Sequence, residues 1–223
     1  MTTQAQVKIC GLRPGDDLQF TAHPFVTHVG IIFVPPSKRY VDPAAARTIT
    51  SNVHHSCRTV GVFANAPMAD VLKVVRESGV RVAQLHGDES VADCTVLRDA
   101  GLDVWKVLKV PTTVTQGADL DRLTREIELY ADVTNGLLLD ASPPTGAKVT
   151  GGYGRTFDWS CLQQLTPHLV GMNWWVAGGI GPDNVRSLLD SCQPTGVDVS
   201  SGVEVDGRKN TQRIVQLLEA VNG

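Results

Sequence analysis

Short apolar runs rich in β-branched residues recur about every twenty to thirty-five residues along the chain, with helical patterns between them. No other feature constrains the fold as much. Near-continuous apolar runs suit strands of a parallel sheet, which bury both faces beneath covering helices. The runs cover residues 7–10, 28–34, 59–63, 82–85, 103–109, 136–140, 174–177 and 197–199. A helical pattern follows each. The first covers residues 18–25, but Pro24 interrupts it, so it is short or ends near His23. Others cover 44–50, 69–77, 90–100 and 120–130, one begins near Ser160, one opens at Pro182-Asp183-Asn184, and one closes the chain over 210–221. Eight such units in 223 residues predict an α/β chain, a single (β/α)8 TIM barrel occupying 1–223. An open doubly wound sheet is the competitor, and the first turn after a strand, CGLRPGDD, lacks its G-x-G-x-x-G signature.

A net charge of −3 carries no basic footprint for nucleic acid. No run approaches the ~20 apolar residues of a membrane helix, and MTTQAQ lacks a signal-peptide core, so a cytoplasmic protein is expected. Five cysteines without C-x-x-C spacing predict free thiols in place of a disulfide frame or zinc site. The six histidines form no metal-ligand pattern, and the adjacent His54-His55 is expected at the surface.

Residues 174–204 hold two side-chain-poor turns, each just after a strand. One is Gly178-Gly179-Ile180-Gly181, the other Ser200-Ser201-Gly202. Such turns let backbone N–H groups approach an anion, and the loops after strands seven and eight of a barrel commonly bind phosphate. Polar residues at the strand ends supply candidate chemistry, because on a barrel these ends face the active site. They are Lys8 and Cys10, Arg39, Gln84 and His86, Lys106 and Lys109, Asp140, and Asp198 with Ser200-Ser201. Period-2 alternation puts Lys8 and Cys10 on one face, where the lysine can stabilise a thiolate suited to proton abstraction. Asp140, after three leucines, either caps a turn or serves as a functional acid. Arg39 is either a solvated loop charge or a clamp for a carboxylate, and His86 either closes its strand or serves the site. Cys57, Cys94, Cys161 and Cys192 fall in loop or helix patterns and are structural.

Several blocks, in one order along the chain, carry a resemblance. They are Lys8-Ile9-Cys10-Gly11, VPPSKRY over 34–40, Gln84-Leu85-His86-Gly87, Leu138-Leu139-Asp140, GGYGRTFDW over 151–159, GGIGPDNV over 178–185 and DVSSGVE over 198–204. Together they resemble the phosphoribosylanthranilate isomerase family of tryptophan biosynthesis. The resemblance implies an Amadori rearrangement of a phosphoribosyl substrate, with neither cofactor nor metal. It implies Asp140 as general acid and Cys10 as general base. It places Arg39, His86 and Asp198 on the substrate, Arg39 facing the anthranilate carboxylate. It implies that Gly178, Gly179, Ser201 and Gly202 hold the phosphate. Neither nucleic acid nor membrane is an expected partner, and the chain is expected to be a monomer or homodimer. Departures from the family pattern are LRPGDDL after KICG, HPFVTH before strand two, Ala177 for the usual serine, and a long loop over 141–156. Two alternatives are a non-catalytic phosphosugar-binding barrel and a phosphosugar isomerase with histidine-pathway activity. The second has an aspartate where this chain has Cys10.

Overall fold

The computed structural model describes residues 4–114, 117–142 and 156–223. Eight parallel strands pair in chain order and close on themselves: β1 (Gln6–Cys10), β2 (Val26–Ile32), β3 (Arg58–Phe63), β4 (Val82–Leu85), β5 (Asp103–Val110), β6 (Gly136–Ala141), β7 (Trp174–Val176) and β8 (Gly196–Val199). The covering helices are α1 (Pro43–Thr50), α2 (Met68–Ser78), α3 (Val91–Asp99), α4 (Ala118–Ala131), α5 (Ser160–Leu169), α6 (Val185–Ser191) and α7 (Thr211–Asn222). Local chemistry sets several of their ends. Asp42 accepts from the Ala44 N–H at 2.9 Å with Pro43 opening α1, Ser90 and Asp93 form a capping box on α3, and Gly79 ends α2 at φ 74°.

Three elements differ from the sequence expectation. The first helix is only a 3-10 turn, Gln19–Ala22, because Pro24 forces His23 into extended backbone (φ −71°, ψ 132°). The second strand begins earlier and ends earlier, at Val26 and Ile32, since Val26 pairs with Val7 across a bulge. A hairpin of β9 (Glu204–Val205) and β10 (Arg208–Lys209) was not anticipated. It turns on Asp206 and Gly207, both at positive φ (50° and 72°), an Asp-Gly hairpin signal that stands plainly in the sequence. Most of the long loop over 141–156 lies outside the described residues.

Alternation along the strands sorts side chains into two cores. Outward residues such as Val7, Ile9, Val29, Ile31, Leu137 and Leu139 pack under the helices. The inward ones form a separate cluster of Val60, Val82, Trp105, Val107, Leu138, Trp175 and Ala177 inside the barrel. Gly196 makes room for it: a Cβ there would sit 2.5 Å from the Trp175 ring. His28 joins this interior, its ring 4.8 Å from Trp105 and 5.0 Å from Trp175 between centroids. Burial first, then the charges of Lys8 and Arg58, push its pKa down to about 3.

A histidine held neutral in the fold but protonated in the unfolded chain stabilises only above its unfolded pKa, near 6.5. That contribution is lost as pH falls through the window towards 3. The urea midpoint is therefore expected to drop between about pH 7 and about pH 5, and His28→Leu to shrink that drop. An unchanged drop in the variant would contradict the neutral, buried assignment.

Candidate active site

The strand ends carry a polar cluster above the apolar interior. On β1, Lys8 and Cys10 both point inward, and both are buried. Across the seam that closes the barrel, Lys8 is in register with Asp198 on β8, and Lys8 Nζ donates to Asp198 Oδ2 at 2.9 Å. The other oxygen, Asp198 Oδ1, is buried without a partner among the described residues. On the far side, Gly30 of β2 leaves space for the pair: a Cβ there would lie 2.6 Å from Cys10 Sγ and 3.1 Å from Lys8 Nζ. Burial pushes the Cys10 thiol up. Lys8 and Lys209 oppose that rise, and Asp198 adds to it. The remaining thiols lie in the core, where burial raises Cys57 to about 12 and Cys94, Cys161 and Cys192 to about 11. That agrees with their structural role.

Arg39 reaches the cluster from the loop after β2. Backbone bonds Ser37 N to Val34 O and Val41 N to Ile32 O fold that loop, and its guanidinium lies beside Gly11 and is buried. Arg39 Nε and Nη2 each donate to Glu204 at 2.7 Å, a two-pronged pair. Glu204 also accepts from Lys209 Nζ at 2.8 Å, and Lys209 donates on to the Ser200 carbonyl at 3.0 Å. Burial raises the Glu204 carboxyl, but bonds and charges from Arg39 and Lys209 outweigh that and leave it at about 2. Lys209 did not emerge from the sequence, although the Asp-Gly turn that sets it opposite Glu204 in register was visible there.

Asp140 holds the last inward position of β6, in register with Lys109, and His86 Nε2 lies 3.1 Å from its Oδ2. Gln84 Nε2 is 3.5 Å from His86 Nδ1, and Gln84 Oε1 is buried without a partner among the described residues. Gly178 leaves room for the acid, since a Cβ there would stand 3.0 Å from Asp140 Oδ1. Lys106 corrects the sequence expectation. Trp105 and Val107 take the inward positions, so Lys106 points outward, bonding Glu89 at 2.9 Å and the Gly87 carbonyl at 2.7 Å. Glu89 in turn accepts from the N–H groups of Gly87 and Asn65 (2.9 and 2.8 Å). The pair thus braces the turn beside His86. Lys109 is tied up at the rim by Asp88 at 2.7 Å.

The two small-residue turns lie against one another. Gly178 and Gly179 adopt φ of 91° and 60°, a region L side chains rarely enter. Asn184 ties the first turn, accepting from Gly181 N at 2.9 Å and donating to Gly179 O at 3.0 Å. A Cβ on Gly202 would be driven into the Ile180 carbonyl oxygen, so only glycine permits this contact. Arg213 Nε of α7 holds the Gly202 carbonyl at 3.0 Å. Gly202→Ala is therefore expected to part the turns and weaken inorganic phosphate binding at least ~10-fold, about 1.4 kcal/mol by calorimetry. Equal affinity would show that the close contact does not shape an anion site.

The family model for N-(5′-phosphoribosyl)anthranilate isomerase matches residues 7–220. A relative of that name from Rippkaea orientalis is 36% identical over 216 residues, covering 96% of this chain and 94% of its own. The one from Bacillus subtilis is 34% identical over 214 residues, covering 96% and 93%. Among solved structures, phosphoribosyl anthranilate isomerase from Thermotoga maritima superposes with a TM-score of 0.80 at 32% identity, covering 98% of this chain and 99% of that one. Another isomerase of the family, in complex with reduced 1-(o-carboxyphenylamino)-1-deoxyribulose 5-phosphate, gives 0.77 at 30% identity, with coverage of 98% and 99%. With both the family model and these relatives spanning almost its whole length, the chain belongs to the N-(5′-phosphoribosyl)anthranilate isomerase family.

Proposed function

We propose that Cys10 and Asp140 perform, in this chain, the rearrangement its family catalyses. N-(5′-phosphoribosyl)anthranilate becomes 1-(2-carboxyphenylamino)-1-deoxyribulose 5-phosphate, a step of tryptophan biosynthesis. One observation carries the assignment of roles: an inward thiol flanked by cations ends β1, and an inward carboxylate stands at the last inward position of β6 across the same mouth. An acid and a base so separated can reach different atoms of one sugar. Asp140 gives a proton to the ribose ring oxygen as the C1′–O4′ bond breaks, leaving an open-chain Schiff base. That Schiff base is an iminium; Cys10 takes its C2′ proton, and the electrons of the broken C–H bond neutralise the iminium nitrogen, giving the enol-amine. The enol-amine then gains a proton at C1′ and loses the enol proton, becoming the ketone. C2′ is oxidised and C1′ reduced within one molecule, so the electrons balance without a cofactor.

The remaining roles are carried over from the family pattern onto matching positions. Gly178, Gly179, Ser201 and Gly202 hold the phosphate, and Arg39 faces the anthranilate carboxylate. Asp198, with Oδ1 unpartnered, accepts from the substrate amine. His86 bonds both Asp140 and the opened sugar, an assignment its 3.1 Å approach to the acid supports. The family match over 7–220 supports one catalytic domain for 1–223. No helix among the described residues is long and apolar enough to cross a membrane, which fits a cytoplasmic enzyme. The dimeric isomerase of Thermotoga maritima has also been solved as generated monomers, and for this chain a monomer or homodimer is proposed.

Decay of anthranilate fluorescence with freshly made substrate tests the roles. Cys10→Ala and Asp140→Ala are each expected to lose at least ~10²-fold in kcat. Near wild-type turnover in either would overturn that residue's role.

A further inference from the structure

Beside Cys10, where Gly30 faces both its Sγ and Lys8 Nζ and where Gly11 packs against Arg39 and Ser200, the fold buries five charged side chains. Lys8 comes from β1, Arg39 from the loop after β2, Asp198 from β8, and Glu204 with Lys209 from the β9–β10 hairpin. Their pairing is uneven. Asp198 has Lys8 at 2.9 Å, and Glu204 has Arg39 on both oxygens at 2.7 Å. Lys209 can only share Glu204 Oε1, which Arg39 Nε already occupies, and takes a backbone carbonyl for its other bond. Three cations therefore face two anions. The Lys209 side chain is 2% exposed, so water cannot offset the surplus.

We infer that Lys209 is a positioning residue for the base, its surplus charge favouring the thiolate of Cys10 as the third anion of the cluster. This rests on Cys10 being the base. Lys8 and Lys209 both favour the Cys10 thiolate, whereas burial and Asp198 oppose it. His28 lies next to Lys8 from β2 but is held neutral and adds no charge. Burial, with a smaller push from Arg39, takes the Lys209 pKa down, while Glu204 and Cys10 oppose that fall by favouring its charged form. Lys209 and the thiolate thus stabilise one another. Lys209 touches no reacting atom in this account; it acts through Cys10.

The test reads the thiol directly. Alkylation of Cys10 by iodoacetamide is followed against pH in the full chain without substrate, located by peptide mass, beside the pH profile of kcat/KM, which reports the free enzyme. Lys209→Gln, which keeps a hydrogen-bond donor without charge, is expected to move both profiles up by ~1 pH unit, with activity recovering at high pH. Lys209→Arg is expected to restore the wild-type profile. Glu204→Gln, which enlarges the surplus, is expected to shift alkylation to lower pH, and decides alone if Lys209→Gln does not fold. Superimposed profiles, an arginine variant as displaced as the glutamine one, or a Glu204→Gln shift to higher pH would overturn the inference. Turnover surviving in Cys10→Ala would defeat the base assignment alone, because the alkylation profiles would still report whether Lys209 governs the thiol.

Discussion

Closing the barrel brings β1 beside β8, and at that seam a buried lysine meets a buried aspartate in register. The Lys8–Asp198 pair, at 2.9 Å with both side chains nearly inaccessible, is the contact on which the site depends. Taking two charges out of water costs several kcal/mol per ion, so such a pair persists only where geometry and neighbours compensate. Loss of either partner would strand a charge inside the barrel. Two residues beyond each partner on the same inward faces lie Cys10 and Ser200, so the register that pairs the ions also aims the thiol at the mouth.

Anchor and chemistry come from different parts of the wall. The turns after β7 and β8 are built of glycines that let their backbones touch, and Asn184 and Arg213 brace them. They can fix one end of a substrate but select no reaction, which is why many barrels share such turns. The groups proposed to react, Cys10 and Asp140, stand on β1 and β6, each with its own supporting contacts. Cys10 is surrounded by Lys8, Arg39, Asp198 and Lys209, whereas Asp140 has His86 at 3.1 Å and the space left by Gly178. In the proposed reaction the ring oxygen and the C2′ proton of one sugar are then served by groups in unlike surroundings.

Much of this was legible in the sequence because barrel strands bury both faces and their ends point one way. The eight apolar runs located the strands to within a few residues, and Cys10, Asp140, Arg39, His86 and Asp198 all fall at the mouth. What escaped was pairing across the fold. Alternation within β5 could have turned Lys106 outward, yet only its contact with Glu89 shows what it serves. The bond between Arg39 and Glu204 spans 165 residues, so no local pattern announces it. The hairpin carrying Lys209 had a local signal, Asp-Gly, but its importance comes from where the chain places it. The first helix shrank to a 3-10 turn because the residue before a proline resists helical backbone.

The most direct test is a crystal structure of this chain with reduced 1-(o-carboxyphenylamino)-1-deoxyribulose 5-phosphate bound. Phosphate is expected against Gly178, Gly179, Ser201 and Gly202, with Cys10 Sγ within about 4 Å of C2′ and the Asp140 carboxylate on the O4′ hydroxyl. A ligand bound with Sγ turned away from C2′, or with Asp140 on the side opposite O4′, would contradict the proposed roles.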